Sequence, residues 1–415
     1  MQNQLRMDVI GNKSIVKTRE KDSYDKVLSV LLCLYCILMP FEEALASSFG
    51  SVLRLVALAV IGYSFIRCFN KHIKQKDLSY VLPFLIWIIF AVISVLWCKN
   101  FEWWKYFIKI YVFQLLFITS VIFNAKKINL DYCRYGLMLS ALIASLILIC
   151  FPSSSGYTDE GRRTIILLGN VFDPNIVASI IMLGAFSAFY YIFTLQKKHF
   201  IYKVICAILV IGILFTGSRG ALISFVCGFL IVELYEIKKG GKSRKNAILL
   251  LGCAVIVCFA VYNFLPEKLL KSRFSKDTIL GLNEYNNGSH NRYTIWQNAL
   301  IVFKEKPIFG WGCGNFFNAI ATVYKECASH NLYILLLVEY GVIGFAIFIY
   351  GLIHVLNCLR KSKMWVQLSM QISVCIMALT LDSITYKYFW VCVMFSIVTI
   401  VRIKCNEEKN KADTI

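Results

Sequence analysis

Residues 330–361 read HNLYILLLVEYGVIGFAIFIYGLIHVLNCLRK, and this stretch indicates that the protein is embedded in a lipid bilayer. Its interior from 331 to 357 is predominantly apolar, and it is longer than the roughly 20 residues that cross the hydrocarbon core of a membrane. Basic residues follow at Arg360 and Lys361, as expected at the cytoplasmic end of a span. We therefore predict a membrane-spanning helix over 331–357.

The same pattern recurs along the whole chain. Of its 415 residues, 58% are hydrophobic and 16% are charged, whereas soluble domains are about half apolar and roughly a quarter charged. The apolar runs predict about twelve spans in an all-α polytopic membrane protein and leave no sizeable soluble domain. The predicted spans are approximately 27–45, 49–67, 79–98, 103–124, 135–152, 172–195, 200–216, 220–237, 246–264, 331–357, 364–383 and 386–402.

Basic residues in alternate loops predict the topology. These clusters, such as Lys238 and Lys239, lie in the cytoplasm by the positive-inside rule, and both basic termini then lie there too. The predicted organisation is a bundle of nine spans (1–264), one large external loop (265–330), three further spans (331–402) and a cytoplasmic tail (403–415).

Composition argues against several classes of protein. The net charge is +20, but the basic residues sit in short loops and form no single patch, so anionic membrane lipids are expected partners and nucleic acid is not. The 16 cysteines are scattered, mostly inside apolar runs, and show no pair of CxxC motifs of the kind that binds a metal, so neither a zinc site nor a disulfide framework is expected. For Cys313 and Cys327, both in the external loop, a disulfide and two free thiols remain open.

The predicted external loop is too long to be a passive connection between helices. After the candidate N-cap Asn291, the stretch RYTIWQNALIVFKE predicts a helix that Pro307 limits. Its apolar stripe, which predicts a docked or membrane-skimming helix, comprises Ile295, Trp296, Ala299, Leu300 and Phe303. A cluster of glycines then permits a tight turn before the tenth span, at Gly310, Gly312 and Gly314.

Two arginines on the predicted outer face are candidates for binding an anion. Arg219 lies in the sequence GSRG (217–220), where small neighbours let a large head group approach. Arg292 begins the predicted loop helix, whose first-turn N–H groups point at the same kind of ligand. A guanidinium donates bidentately to phosphate oxygens. The plainer interpretations are a snorkelling anchor for Arg219 and a solvated loop residue for Arg292.

Further candidates flank the sixth and tenth spans. Arg162 and Arg163 form a basic pair before the sixth span, which Asp173-Pro174-Asn175 opens, and these four polar residues are candidate substrate contacts or ordinary helix flanks. His330 lies where the external loop enters the tenth span, and Asn331, which follows it, is a further candidate substrate contact. Imidazole accepts a hydroxyl proton near neutral pH, which predicts a general base, whereas a hydrogen-bonded structural histidine is the plainer alternative.

Two ionisable residues fall inside predicted spans. Glu339 and Arg54 are functional candidates on that ground alone, and each also fits a structural hydrogen-bonding group beside an aqueous cavity.

The spacing after His330 resembles a known signature. His330-Asn331 is followed by nine residues and then by Gly341-Val342-Ile343-Gly344, which resembles the HN-x9-GxxG pattern of the bacterial O-antigen ligase and Wzy-type polymerase family. The resemblance is strongest over 292–344. Two earlier stretches, Asp173-Pro174-Asn175 and Gly217-Ser218-Arg219-Gly220, also resemble positions of the family. The two glycines lie three residues apart on the tenth span, and they are expected to permit close contact with another helix and to do no chemistry.

The resemblance implies a GT-C-like bundle and a glycosyltransferase without a cofactor. The implied donor is an undecaprenyl-diphosphate-linked glycan, and a hydroxyl of an acceptor glycan displaces the lipid diphosphate with inversion and without a metal. By resemblance, Arg219 and Arg292 hold the diphosphate and His330 activates the hydroxyl. The residues agree, since no close carboxylate pair appears on the predicted outer face to hold a divalent ion.

Three functions remain open at this point. A polymerase, whose acceptor is another lipid-linked repeat unit, is preferred to a ligase, whose acceptor is lipid A core or a protein. A transporter is the third candidate and comes from a different class, but we find no internal repeat of paired broken helices.

The resemblance also implies partners and a location. A chain-length regulator and a flippase are further expected partners, and the expected location is the bacterial cytoplasmic membrane with the active site outside.

Overall fold

The computed structural model describes residues 24–42, 45, 51–68, 75–151, 161–195, 200–241, 267–270 and 292–412, together with 244–245, 247–249 and 251–252. These residues are helical apart from connecting turns and one short hairpin, in which β1 (Ile166–Leu167) pairs antiparallel with β2 (Asn170–Val171). The helices are α1 (Lys26–Leu38), α2 (Val52–Cys68), α3 (Gln75–Leu78), α4 (Leu82–Ile93), α5 (Phe101–Phe123), α6 (Leu130–Cys150), α7 (Pro174–Phe189), α8 (Ile201–Phe215), α9 (Arg219–Lys239), α10 (Glu267–Leu269), α11 (Arg292–Glu305), α12 (Phe316–Ile320), α13 (Leu332–Lys361), α14 (Trp365–Met377) and α15 (Lys387–Ala412).

The described helices make an all-α polytopic membrane protein, as predicted. Six are long and apolar enough to cross a bilayer, namely Phe101–Phe123, Leu130–Cys150, Pro174–Thr194, Arg219–Lys239, Leu332–Lys361 and Lys387–Glu408. Shorter apolar helices accompany them at Lys26–Phe41, Leu82–Leu96, Ile201–Phe215 and Trp365–Met377. The ninth predicted span, 246–264, lies mostly outside the described residues, so the count of twelve spans and the domain limits stay predictions.

Helix α7 lies at the centre of the bundle, and nearly all of its side chains are buried. It packs against α6, α8 and α14. Small residues bring the backbones close, since Gly184 of α7 lies against Ala141 of α6. Membrane helices associate in this way because lipid tails offer no hydrophobic drive for burying large side chains. The N-cap of this central helix is Asp173.

Helices α9 and α14 run antiparallel along their full lengths. They meet at three levels, through Gly220 against Thr380, Gly228 against Ser373, and the ring of Tyr235 stacked on that of Trp365 at 4.7 Å. The first turn of α9 therefore lies against the turn formed by residues 378–382, which we call the outer turn because the predicted topology places it outside.

Helix α13 is broken at Gly341, which has a φ of 62° and a ψ of −167°. A break leaves the carbonyl groups before it without helical partners. The carbonyl of Val338 accepts from the N–H of Trp311 (2.9 Å), and that of Glu339 accepts from the N–H of Gly312 (2.8 Å). The external chain thus replaces the missing turn of helix.

The N–H groups after the break are satisfied by the same external segment. They bond from Val342 to the carbonyl of Pro307 (2.8 Å) and from Ile343 to that of Ile308 (3.4 Å). A Cβ on Gly341 would collide with the backbone of Ile308. Gly341 therefore lets the 307–312 segment dock backbone to backbone, where contact with another helix was expected, whereas Gly344 lies against Phe90 of α4.

The break also sets the height of His330. A straight helix of 30 residues would rise about 45 Å, whereas the 13 residues of α14 rise about 20 Å. Yet the N–H of Leu332 donates to the carbonyls of Ala378 (2.8 Å) and Leu381 (3.2 Å), beyond the outer end of α14. The first half of α13 therefore departs from the axis of the second half, and this change of direction places His330 beside the outer turn.

Candidate active site

His330 is held in a strained conformation beside the outer turn. Its φ is 48°, in the left-handed region that residues with a side chain seldom adopt. The carboxylate of Asp382 accepts a hydrogen bond from the hydroxyl of Ser329 and another from the N–H of Asn331 (3.0 Å). Asn331 in turn caps α13 by accepting from two first-turn N–H groups at 2.9 and 3.2 Å. The residues on both sides of His330 are therefore clamped, and His330 itself stays partly exposed.

The loop helix α11 docks on the same segment. The indole N–H of Trp296 donates to the carbonyl of Ser329 at 3.0 Å. Arg292, the first residue of this helix, lies one turn before Trp296 and is partly buried. The predicted helix is confirmed, although its fully buried residues are Ile295, Ala299 and Val302. Leu300 was wrongly assigned to the stripe, because it is 43% exposed.

Arg219 begins α9 at the outer turn. The hydroxyl of Ser218 accepts from the N–H of Ala221 (3.3 Å) and so caps the helix. Gly220 lies so close to Thr380 that no side chain fits between them. Arg219 is partly exposed at the positive end of the α9 dipole.

Arg162 supports the backbone that carries Arg219. Its Nε donates to the carbonyl of Thr216 at 2.9 Å, and its Nη2 donates to Oδ1 of Asn175 at 3.0 Å. The N–H of Asn175 donates to Asp173, the cap of α7, at 2.7 Å. Arg162, Asn175 and Asp173 thus form a hydrogen-bonded chain that supports the backbone just before Arg219. Their contact with substrate stays a prediction.

Arg163 is engaged by helix ends. Its Nη1 donates to the last carbonyls of α6, those of Leu148 and Ile149, both at 2.9 Å. Its guanidinium also lies over the ring of Phe215 at 4.1 Å. Burial among these groups lowers the pKa of Arg163. The structure thus places Arg163 as a brace between α6 and α8, and its predicted role in binding substrate stays untested.

The elements that carry Arg219, Arg292 and His330 contact one another in the folded chain. The outer turn contacts the start of α9 through Thr380 and the start of α13 through Ala378 and Leu381. The loop helix joins the same cluster through Trp296. Arg219, Arg292 and His330, which are far apart in sequence, therefore belong to elements that meet at the outer turn.

Asp382 is the residue of this cluster that the sequence did not single out. An acid in a short outer turn carries no periodic or spacing signal, and its partners Ser329 and Asn331 lie about fifty residues earlier in the chain. Only the folded chain reveals that it faces the segment of His330.

Other candidate residues have plainer roles. The carboxylate of Glu339 accepts from the N–H of Phe316 (3.2 Å), so it anchors α12 to the broken helix. Arg54 is exposed on α2. Cys313 and Cys327 are free thiols. Among the described residues, no group of three or more His, Cys, Asp or Glu side chains is arranged to hold a metal ion.

Comparison with known proteins adds a family match over this region. Residues 204–349 match the family model described as O-antigen ligase (Wzy_C), a range that includes Arg219, Arg292, His330 and the break at Gly341. An uncharacterized protein of Haemophilus influenzae is 27% identical over 250 residues, which are 56% of this chain and 60% of that protein. The chain thus spans less than two thirds of that relative.

Proposed function

We propose that the chain is a polysaccharide polymerase of the bacterial cytoplasmic membrane, a proposal supported by the match of residues 204–349 to the family model described as O-antigen ligase. It transfers a glycan from undecaprenyl diphosphate to a hydroxyl of another lipid-linked repeat unit, on the outer face, by a metal-independent inverting reaction. Both termini lie in the cytoplasm, and a flippase and a chain-length regulator act with it.

The observation that carries this proposal is the meeting of three elements at the outer turn. Arg219 lies at the N-terminus of α9 and Arg292 at the N-terminus of α11, where helix dipoles add to the positive charge. Two guanidinium groups there bind the diphosphate of the donor bidentately. As the bond to the sugar breaks, they stabilise the charge that develops on the leaving diphosphate.

His330 is the proposed general base. The acceptor hydroxyl oxygen attacks the anomeric carbon while its proton passes to the imidazole, and the electron pair of the broken carbon–oxygen bond leaves with the diphosphate. A single displacement inverts the anomeric carbon. Asp382 positions the imidazole by accepting from the hydroxyl of Ser329 and from the backbone N–H of Asn331, the residues on either side of His330.

A ligase is the second candidate, because the matching family model is described as O-antigen ligase. The proposed donor site and base serve either reaction. The two functions differ in the acceptor, which is lipid A core or a protein for a ligase and a second lipid-linked repeat unit for a polymerase.

The test is turnover by the purified full-length chain in detergent with lipid-linked repeat units as both substrates. We expect longer glycans with the wild-type chain, none with His330→Ala, and a large loss with Arg219→Lys or Arg292→Lys, because lysine keeps the charge but lacks the planar fork. Arg360→Lys, an exposed change at the far end of α13, is the matched control and should retain activity. Wild-type turnover by His330→Ala would refute the proposed base.

A further inference from the structure

An apolar cleft of about 550 Å³ opens beside the external segment that docks on the broken helix. It is lined by Trp97, Lys306, Pro307, Ile308, Phe309 and Gly310. Ile308 and Phe309 are 54% and 52% exposed, and the ring of Phe309 packs edge-on against Trp97 at 5.8 Å. The volume falls within the range of small-ligand pockets. A pocket so apolar suits a hydrocarbon chain better than a sugar.

The cleft is lined by one lysine, Lys306, and a second, Lys99, lies over the same tryptophan ring as Lys306. The ammonium of Lys306 is 4.4 Å from the ring centre of the buried Trp311, and that of Lys99 is 4.7 Å from the same centre. The two nitrogens are therefore no further apart than the sum of these distances. Within the part of the chain that the structure describes, neither lysine pairs with a carboxylate. A paired positive charge beside an apolar cleft complements a lipid with an anionic head group.

The cleft is separate from the proposed donor site. The loop helix α11 has Arg292 at its first position, and Lys306 follows its last residue. A helix of 14 residues spans roughly 20 Å. A donor diphosphate at Arg292 and an anion at Lys306 are thus bound at opposite ends of one rigid element.

This separation matches what a polymerase requires of its acceptor. The attacking hydroxyl lies on the sugar furthest from the acceptor's own lipid, so the acceptor diphosphate must lie one glycan length from His330. We propose that the cleft binds the isoprenoid chain of the acceptor, with its diphosphate at Lys99 and Lys306. This inference rests on the proposed function and deepens it by assigning a second lipid site.

Native mass spectrometry of the full-length chain with undecaprenyl diphosphate tests the proposal. We expect two lipids bound to the wild-type chain and one bound to Lys99→Gln/Lys306→Gln, with affinity at the second site weakened about tenfold or more. Arg219→Ala/Arg292→Ala should also retain one lipid, and the fourfold variant none. The matched control is Lys105→Gln/Lys109→Gln, which removes two exposed charges from α5 outside the cleft and should bind two.

The outcomes separate this inference from the proposed function. Two lipids on the Lys99→Gln/Lys306→Gln variant would overturn the second site. So would displacement of the second lipid by excess phosphatidylglycerol, which indicates a general phospholipid groove, or by lipid A, which indicates the acceptor of a ligase. Normal turnover by a chain that binds a single lipid would refute the cleft and leave the polymerase standing. Two lipids bound in this pattern without any turnover would support the site and refute the polymerase.

Discussion

At the residue scale, the backbone of His330 is held by contacts outside its own segment. A left-handed conformation costs a residue with a side chain on the order of 1–3 kcal/mol. Asp382 offsets this cost, because its carboxylate accepts from the hydroxyl of Ser329 and the N–H of Asn331. Hydrogen bonds to an ionised acceptor are about twice as strong as neutral ones. The position of the proposed base thus depends on a residue of another turn.

Asp382→Asn tests this dependence. The amide keeps the size and one acceptor oxygen but removes the negative charge, so we expect kcat/KM to fall about tenfold or more, which corresponds to ~1.4 kcal/mol in the transition state. Steady-state kinetics of the purified variant measure this loss.

The matched control for this change is Glu102→Gln, which neutralises an exposed acid in the first turn of α5. It should leave kcat/KM unchanged. An Asp382→Asn enzyme with the wild-type kcat/KM would show that the carboxylate does not position His330.

At the element scale, the broken helix joins the external loop to the bundle. The break at Gly341 frees carbonyl and N–H groups, and the 307–312 segment pairs with both sets. Unpaired backbone groups at this depth would be costly, because a bilayer offers no water to replace the lost partners. The loop helix α11, which ends directly before this segment, is thereby fixed relative to α13.

Gly341→Ala should loosen this junction. Its φ and ψ lie in a region that is essentially restricted to glycine, which costs about 1–3 kcal/mol for another residue, and the new Cβ would stand 2.8 Å from the N atom of Gly310. We expect a lower unfolding temperature in detergent and a larger loss of turnover than of expression. Thermal unfolding of the purified chain measures the first effect.

Gly62→Ala is the control for this substitution. Gly62 lies in α2 with no atom within 4 Å of an added Cβ, so alanine there should be neutral or slightly stabilising, since it favours the helix. Equal effects of the two substitutions would contradict the special role of the break.

At the scale of the whole molecule, the proposed chemistry lies on one face of the bundle. The elements of the donor site and the acceptor cleft are joined by α11 and the 307–312 segment, and the remaining helices support them. In the proposed mechanism the leaving group is a diphosphate, which leaves readily, so positioning and two cations can supply much of the catalysis without a metal. This arrangement needs no gradient across the membrane, unlike a coupled transporter.

We therefore expect the purified chain to turn over lipid-linked glycan in detergent and to keep its activity in excess chelator. Product length on a gel, with and without chelator, is the measurement. Activity that disappears in chelator and returns with magnesium or manganese would reveal a metal requirement. Activity confined to sealed vesicles with a gradient would favour the transporter.

Much of the architecture follows from local patterns in the sequence. Hydropathy predicts an all-helical membrane protein. Apolar runs of about 20 residues are long enough to cross a bilayer, and a helix satisfies all of its backbone hydrogen bonds there without water. Local chemistry also locates helix ends, such as the cap at Asp173, the start of α13 after Asn331 and the loop helix at Arg292. Such features depend on neighbours within a few residues, so they can be read from the chain itself.

The arrangement of the site depends on partners that are distant in sequence. Gly341 breaks its helix because a segment some thirty residues earlier supplies the missing hydrogen bonds. Arg162 and Asn175 turn toward the backbone behind Arg219, and Asp382 meets Ser329 across the outer turn. The spacing of residues in the sequence does not predict these contacts, because they form only when the packed helices bring turns from distant parts of the chain next to one another.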